Sequence, residues 1–152
     1  MTAAATVHLL TYRPEQMLTW WAALLGATEV PPSHERAVVV RSPTLNVVVE
    51  RSELALDHHR EACGVTTIAI TPADVADTLA ALDRLADIEA QPHRATRHPG
   101  FTRLWFRDPN GAEVAIDVQS DGADAMTSYD PLFPLEVDPR AVVANLRRRG
   151  AR

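Results

Sequence analysis

Lysine is missing from the sequence; all fifteen basic residues are arginine. Arginine codons are favoured by GC-rich DNA, so the bias reads as coding preference rather than as function. Cysteine occurs once, at Cys63, which excludes an intrachain disulfide and fits a reducing compartment. The expected location is therefore the cytoplasm, and nothing near Cys63 marks it as a nucleophile. No apolar run is long enough to cross a bilayer as a helix. Met1 to Val7 has neither a basic start nor a long apolar stretch, so no secretory leader is expected. Aromatic residues make up only 5% of the chain. The arginines are dispersed apart from Arg147, Arg148 and Arg149, a triplet suited to the C-terminal end of a helix, where cations complement the dipole. Without a basic stripe interleaved with aromatics, nucleic acid is not an expected partner.

What is present suits one compact domain: 152 residues, 46% hydrophobic, with a formal charge of −5. Two stretches repeat one plan. In the first, a strand pattern at Thr6 to Tyr12 precedes an apolar helix pattern from Glu15 to Leu25. Gly26 closes the helix, since glycine enters the left-handed region most cheaply. Ala37 to Arg41 and Leu45 to Glu50 then read as a hairpin about Ser42-Pro43-Thr44. In the second, a strand at Val65 to Thr71 is followed by a helix at 73–86, with Val75, Leu79, Leu82 and Leu85 on one face. Short strands are expected at Ile88 to Gln91 and Thr102 to Phe106. The turn Asp108-Pro109-Asn110-Gly111 leads into a last strand, Ala112 to Val118. Segments 29–36 and 51–64 read as linkers. The tail is a polar stretch, a Pro-containing stretch at 129–139, and a short helix from Arg140 to Arg149.

This duplicated unit resembles the vicinal-oxygen-chelate superfamily of glyoxalases, bleomycin-resistance proteins and extradiol dioxygenases. Trp20-Trp21-Ala22-Ala23-Leu24-Leu25-Gly26 resembles its aromatic-pair helix. Phe106-Arg107-Asp108-Pro109-Asn110-Gly111 resembles its hairpin before the final strand, and the tail about Asp138-Pro139-Arg140 is similar to that of an actinobacterial dioxygenase-like subgroup. The resemblance implies an α+β fold: two βαβββ modules, about 6–50 and 65–118, forming a curved mixed-sheet cup within a domain at 1–118. A C-terminal extension at 119–152 would pack its helix on the domain or on a partner. It also implies a cup that holds a divalent metal through His on the first strand, His on the fifth and Glu on the eighth, with a further Glu in glyoxalase-type members.

Position by position, that ligand set is depleted. On the first strand either His8 or Thr6 matches, depending on a two-residue gap, and alternation puts both on the inward face with Tyr12. Thr67 stands at the second histidine position, and a neutral hydroxyl is a poor ligand beside imidazole. Ala115 stands at the glutamate position. Glu113 and Asp117 share its face but are displaced along the strand by about 6–7 Å. Glu50 matches the glyoxalase-type Glu. Trp105 replaces the tyrosine of extradiol enzymes and has no acid–base chemistry. His98 matches a loop histidine of the family; with His58, His59 and His93 it is expected in a polar loop.

The expected function is a metal-independent enzyme of isomerase, cyclase or lyase type acting on an aromatic or polyketide-like small molecule. His8 is the principal acid–base candidate, because imidazole titrates near neutrality, with Glu50 and Asp117 after it. Thr6, Tyr12, Thr67, His98, Trp105 and Glu113 are the expected ligand contacts. No cofactor, metal or membrane is expected, and the chain is expected to form a homodimer. Two alternatives stand beside this: a resistance protein that sequesters an antibiotic or metabolite, and a metal enzyme using a rearranged set such as His8, Glu50 and Asp117.

Overall fold

The computed structural model describes residues 5–27, 32–34 (backbone only), 37–59, 64–120 and 134–151. Cys63, and the stretch from 129 to 133 read as part of the Pro-containing tail, lie outside the described residues. The first module runs β1 (Ala5–Thr11), α1 (Pro14–Leu25), β2 (Pro32–His34), β3 (Ala37–Arg41) and β4 (Leu45–Arg51). The second runs β5 (Thr67–Ile70), α2 (Val75–Asp87), β6 (Arg94–His98), β7 (Phe101–Arg107) and β8 (Glu113–Gln119). β9 (Leu135–Val137) and α3 (Pro139–Gly150) follow. The sheets have the strand orders β1-β4-β3-β2 and β5-β8-β7-β6-β9. In each module the first strand lies parallel to the last and occupies the sheet edge. This is the expected βαβββ plan, twice, with the tail adding a strand beside β6.

Alternation sorts every strand into a helix face and a cup face. Val40, Val47, Val49, Leu104, Phe106, Val114, Ile116 and Val118 join Met17, Trp20, Trp21, Leu24, Leu82 and Leu85 in one buried core. The helices therefore cover one side of both sheets. The opposite side carries Thr6, His8, Leu10, Glu50, Thr67, Trp105, Glu113, Ala115 and Asp117. α1 ends at Gly26, whose φ of 67° is left-handed. Beyond that end the Arg84 guanidinium of α2 donates to the Ala23 carbonyl at 2.6 Å. A cation from the second module thus caps the helix of the first, at the end where the dipole attracts positive charge. α3 begins on an Asp138 cap, buries Leu146 and pairs Arg147 with Asp83 of α2 at 2.6 Å.

Two expectations fail. The strand expected at Ile88 to Gln91 is instead the end of α2 and a turn. Ile88, Glu89 and Ala90 donate their N–H groups back to Leu85 and Ala86, and Glu89 takes a φ of 61°, which no strand can accommodate. The strand itself lies later, at Arg94–His98, so His98 is on a strand and only 7% exposed, not in a polar loop. The linker at 29–36 also contains a strand, β2, which completes the first module.

Candidate functional site

β1 and β5 each have one strand partner, on the side away from the other. Between these unpaired edges lies a cleft of about 270 Å³. β1 contributes Val7 to Leu10, and β5 and its approach contribute Val65 to Ile68. Glu113 and Val114 form part of the floor, and Leu56 and His58 come from the strap that follows β4. Register explains why Thr67 and Glu113 meet here, since they are direct partners across the β5–β8 ladder.

The Asp108-Pro109-Asn110-Gly111 turn locks the two modules together beside this cleft. Asn110 accepts the Thr11 hydroxyl at 2.7 Å on its side-chain oxygen and donates through its side-chain nitrogen to the Leu10 carbonyl at 3.1 Å. The Arg13 guanidinium donates to the Pro109 carbonyl at 2.6 Å and to Asp57 at 2.8 Å. Asp57 also accepts the Tyr12 hydroxyl at 3.0 Å, and the His58 N–H donates to the Asn110 carbonyl at 2.9 Å. The strap is thereby pinned with His58 facing the cleft. Asp108, also in the cleft wall, accepts the N–H groups of Asn110 and Ala112. Burial raises its carboxyl above the usual aspartate value, and those two N–H groups offset part of that shift.

A second polar cluster occupies the cup face of β6, β7 and β8. Arg103 grips Asp117 with two N–H donors, at 2.6 and 2.7 Å. The Trp105 indole donates to the Thr96 hydroxyl at 2.9 Å, and that hydroxyl lies 2.9 Å from His98 Nε2. Indole only donates, so assigning the fully buried Thr96 hydroxyl proton to Nε2 leaves the imidazole protonated at Nδ1. The His98 ring stacks on Phe101, with centroids 4.6 Å apart. Guanidiniums of Arg94 and Arg103 lie 5.4 and 5.3 Å from the Trp105 ring. Burial first, and then the Arg103 charge, lower the His98 pKa below its ordinary 6.5. The folded state therefore disfavours a proton that the unfolded chain accepts. Stability is retained above pH 6.5 and is lost as pH falls below it. The urea midpoint is expected to drop between pH 7 and 5.5, and His98→Gln should flatten that slope; an unchanged slope in the variant would contradict the assignment.

Of the residues singled out from sequence, the structure gathers His8, Thr67 and Glu113 in the cleft. Tyr12 is at its rim through Asp57. Trp105, His98 and Asp117 belong to the second cluster. Glu50 is the partner of Leu10 on the cup face and is exposed; Thr6, also exposed, is two residues before His8. Sequence reasoning missed His58, Asp108 and Asn110 as cleft residues. The turn motif signalled the last two, but only as a hairpin.

The three positions at which the resembled superfamily binds metal carry His8 or Thr6, Thr67 and Ala115, and these do not fit a divalent ion. The neighbouring carboxylates are engaged elsewhere: Glu113 by His93 at 3.0 Å and Arg107 at 3.3 Å, and Asp117 by Arg103. Among the described residues no three His, Cys, Asp or Glu side chains converge as a metal site. The donor chemistry leaves one imidazole where a three-ligand set is needed.

No family model and no curated protein matches the sequence. Solved structures match the fold. A glyoxylase/bleomycin resistance protein/dioxygenase domain from Frankia sp. EAN1pec is 15% identical at a TM-score of 0.63, covering 79% of this chain and 99% of its own. A glyoxalase/bleomycin resistance protein/dioxygenase from Alicyclobacillus acidocaldarius is 10% identical at 0.60, covering 78% and 92%. Lactoylglutathione lyase from Agrobacterium tumefaciens is 16% identical at 0.55, covering 78% and 94%. At these identities the likeness is one of fold: the chain has the glyoxalase/bleomycin-resistance/dioxygenase architecture.

Proposed function

We propose that the protein binds a small organic molecule in the cleft between β1 and β5 and moves protons on it, with His8 as the acid–base group and no resident metal. The observation that carries this reading is the presence of His8 in the same cleft as Thr67 and Glu113, while the metal-ligand positions on β5 and β8 hold a hydroxyl and a methyl group. His8 is exposed, and among the described residues no hydrogen bond ties its imidazole to the fold. An imidazole without structural duties can give a proton to a bound ligand or take one from it. His58, on the strap, brings a second imidazole to the same cleft. Asp117 serves the wall rather than the chemistry, because both its oxygens are held by Arg103.

The competing reading is a protein that sequesters its ligand unchanged, favoured by the aromatic wall of His98, Phe101 and Trp105. The two separate on product analysis. Incubation with a small-molecule cell extract in deuterium oxide, followed by mass spectrometry, is expected to show one compound consumed and either an isomer carrying carbon-bound deuterium or a product lighter by one water. Recovery of a bound compound chemically unchanged and free of deuterium would establish sequestration instead.

A further inference from the structure

Six large hydrophobic side chains are exposed among the described residues, and they are not scattered. Leu10 (57% exposed), Leu56 (86%) and Val65 (73%) line the cleft itself. Leu54, at 91%, precedes Leu56 by two residues on the strap, and Tyr12 anchors that strap through Asp57. Only Leu135 lies elsewhere, on β9. Scattered exposed leucines are unremarkable, whereas a contiguous apolar group edging a cleft marks a binding surface. The interior is mixed: among Val7, Leu9, Ile68, Ala112 and Val114 it adds hydrogen-bonding groups from His8, His58 and Thr67, which the collar lacks. The cleft, at about 270 Å³, is also smaller than the roughly 300–1,000 Å³ usual for sites that enclose a drug-sized ligand.

We infer that the ligand is amphipathic and larger than the cleft. A compact hydrogen-bonding head sits among His8, Thr67 and Glu113, and an uncharged apolar body lies outside, over the collar of Leu10, Leu56 and Val65. This rests on the cleft being the ligand site, as proposed above. The collar is continuous with the cleft, since the same three side chains line both. A ligand confined to the cleft would touch these side chains on their cleft side only and leave their outer surfaces in water.

The test uses the neutral dye N-phenyl-1-naphthylamine, an apolar naphthalene and a phenyl ring joined by one N–H donor, titrated by fluorescence into the full chain. Its subjects are the parent, the collar variant Leu56→Ser with Val65→Ser, and the cleft-filling variant Thr67→Trp. The collar side chains are already in water, so their replacement leaves the fold unstrained, and circular dichroism checks this for all three proteins. Covering two such side chains with the dye should make the collar variant bind about tenfold more weakly or worse, and Thr67→Trp should lose binding similarly. An unchanged collar variant beside a weakened Thr67→Trp would overturn the inference while leaving the cleft as ligand site. A weakened collar variant beside an unchanged Thr67→Trp would sink both, as would absence of dye binding to the parent. Sedimentation provides a further arm. A parent dimer that becomes monomeric in the collar variant would show that a second copy covers the collar, and would also overturn the inference.

Discussion

The His8→Ala protein is expected to fold as the parent does and to turn its substrate over about 10²–10⁴-fold more slowly, the usual contribution of a positioned acid or base. Both halves of the expectation come from the same position on β1. Alternation directs Val7, Leu9 and Thr11 toward the helices, where Thr11 is fully buried and hydrogen-bonded to Asn110. His8 lies on the opposite, cup face of the strand and is exposed, and it is one of the β1 residues that line the cleft. Removing an exposed imidazole that anchors nothing should shift the unfolding free energy by no more than about 0.5 kcal/mol. Rate and thermal midpoint, measured on the same preparation, check the pair of outcomes. Full turnover in the variant would remove His8 from the chemistry, and a collapsed midpoint would show that its role is structural.

Much of this arrangement was legible in the sequence because it depends on local rules. The helix stop at Gly26 and the hairpin at Asp108 to Gly111 follow from residues that tolerate positive φ. Period-two alternation was enough to put His8, Thr67 and Glu113 on one face of their strands. What could not be read depends on contacts between distant segments. The strand expected at Ile88 to Gln91 failed for a local reason instead: the N–H groups of Ile88, Glu89 and Ala90 turn back to Leu85 and Ala86 and close α2, with Glu89 rather than a glycine taking the positive φ that usually signals such a stop. His98 looked like a loop residue until register with Phe101 placed it inside β6. His58 gave no signal of its own. It reaches the cleft because Asp57 is held by Tyr12 and Arg13, more than forty residues earlier in the chain.

The two-module plan also explains how the cup can change ligands without losing the fold. The family-matched positions Thr67 and Ala115 lie on the face turned away from the main core, where Thr67 lines the cleft and Ala115 is fully buried. Stability resides on the other face, in Trp21, Leu85, Leu104, Phe106 and their neighbours, all essentially buried. The junction of the modules depends on three features the cup chemistry does not use: Arg84 capping α1, Asn110 against β1, and the Asp57 clamp. One architecture can therefore carry different residues on its cup face while the buried face is kept.

Elemental analysis of protein purified without chelators or added metal tests the central claim most directly. A hydroxyl and a methyl group in place of imidazole and carboxylate leave His8 as a single donor. The account therefore predicts transition metal well below stoichiometric. Zinc, iron, nickel or manganese bound in a one-to-one ratio, and lost from His8→Ala, would contradict it.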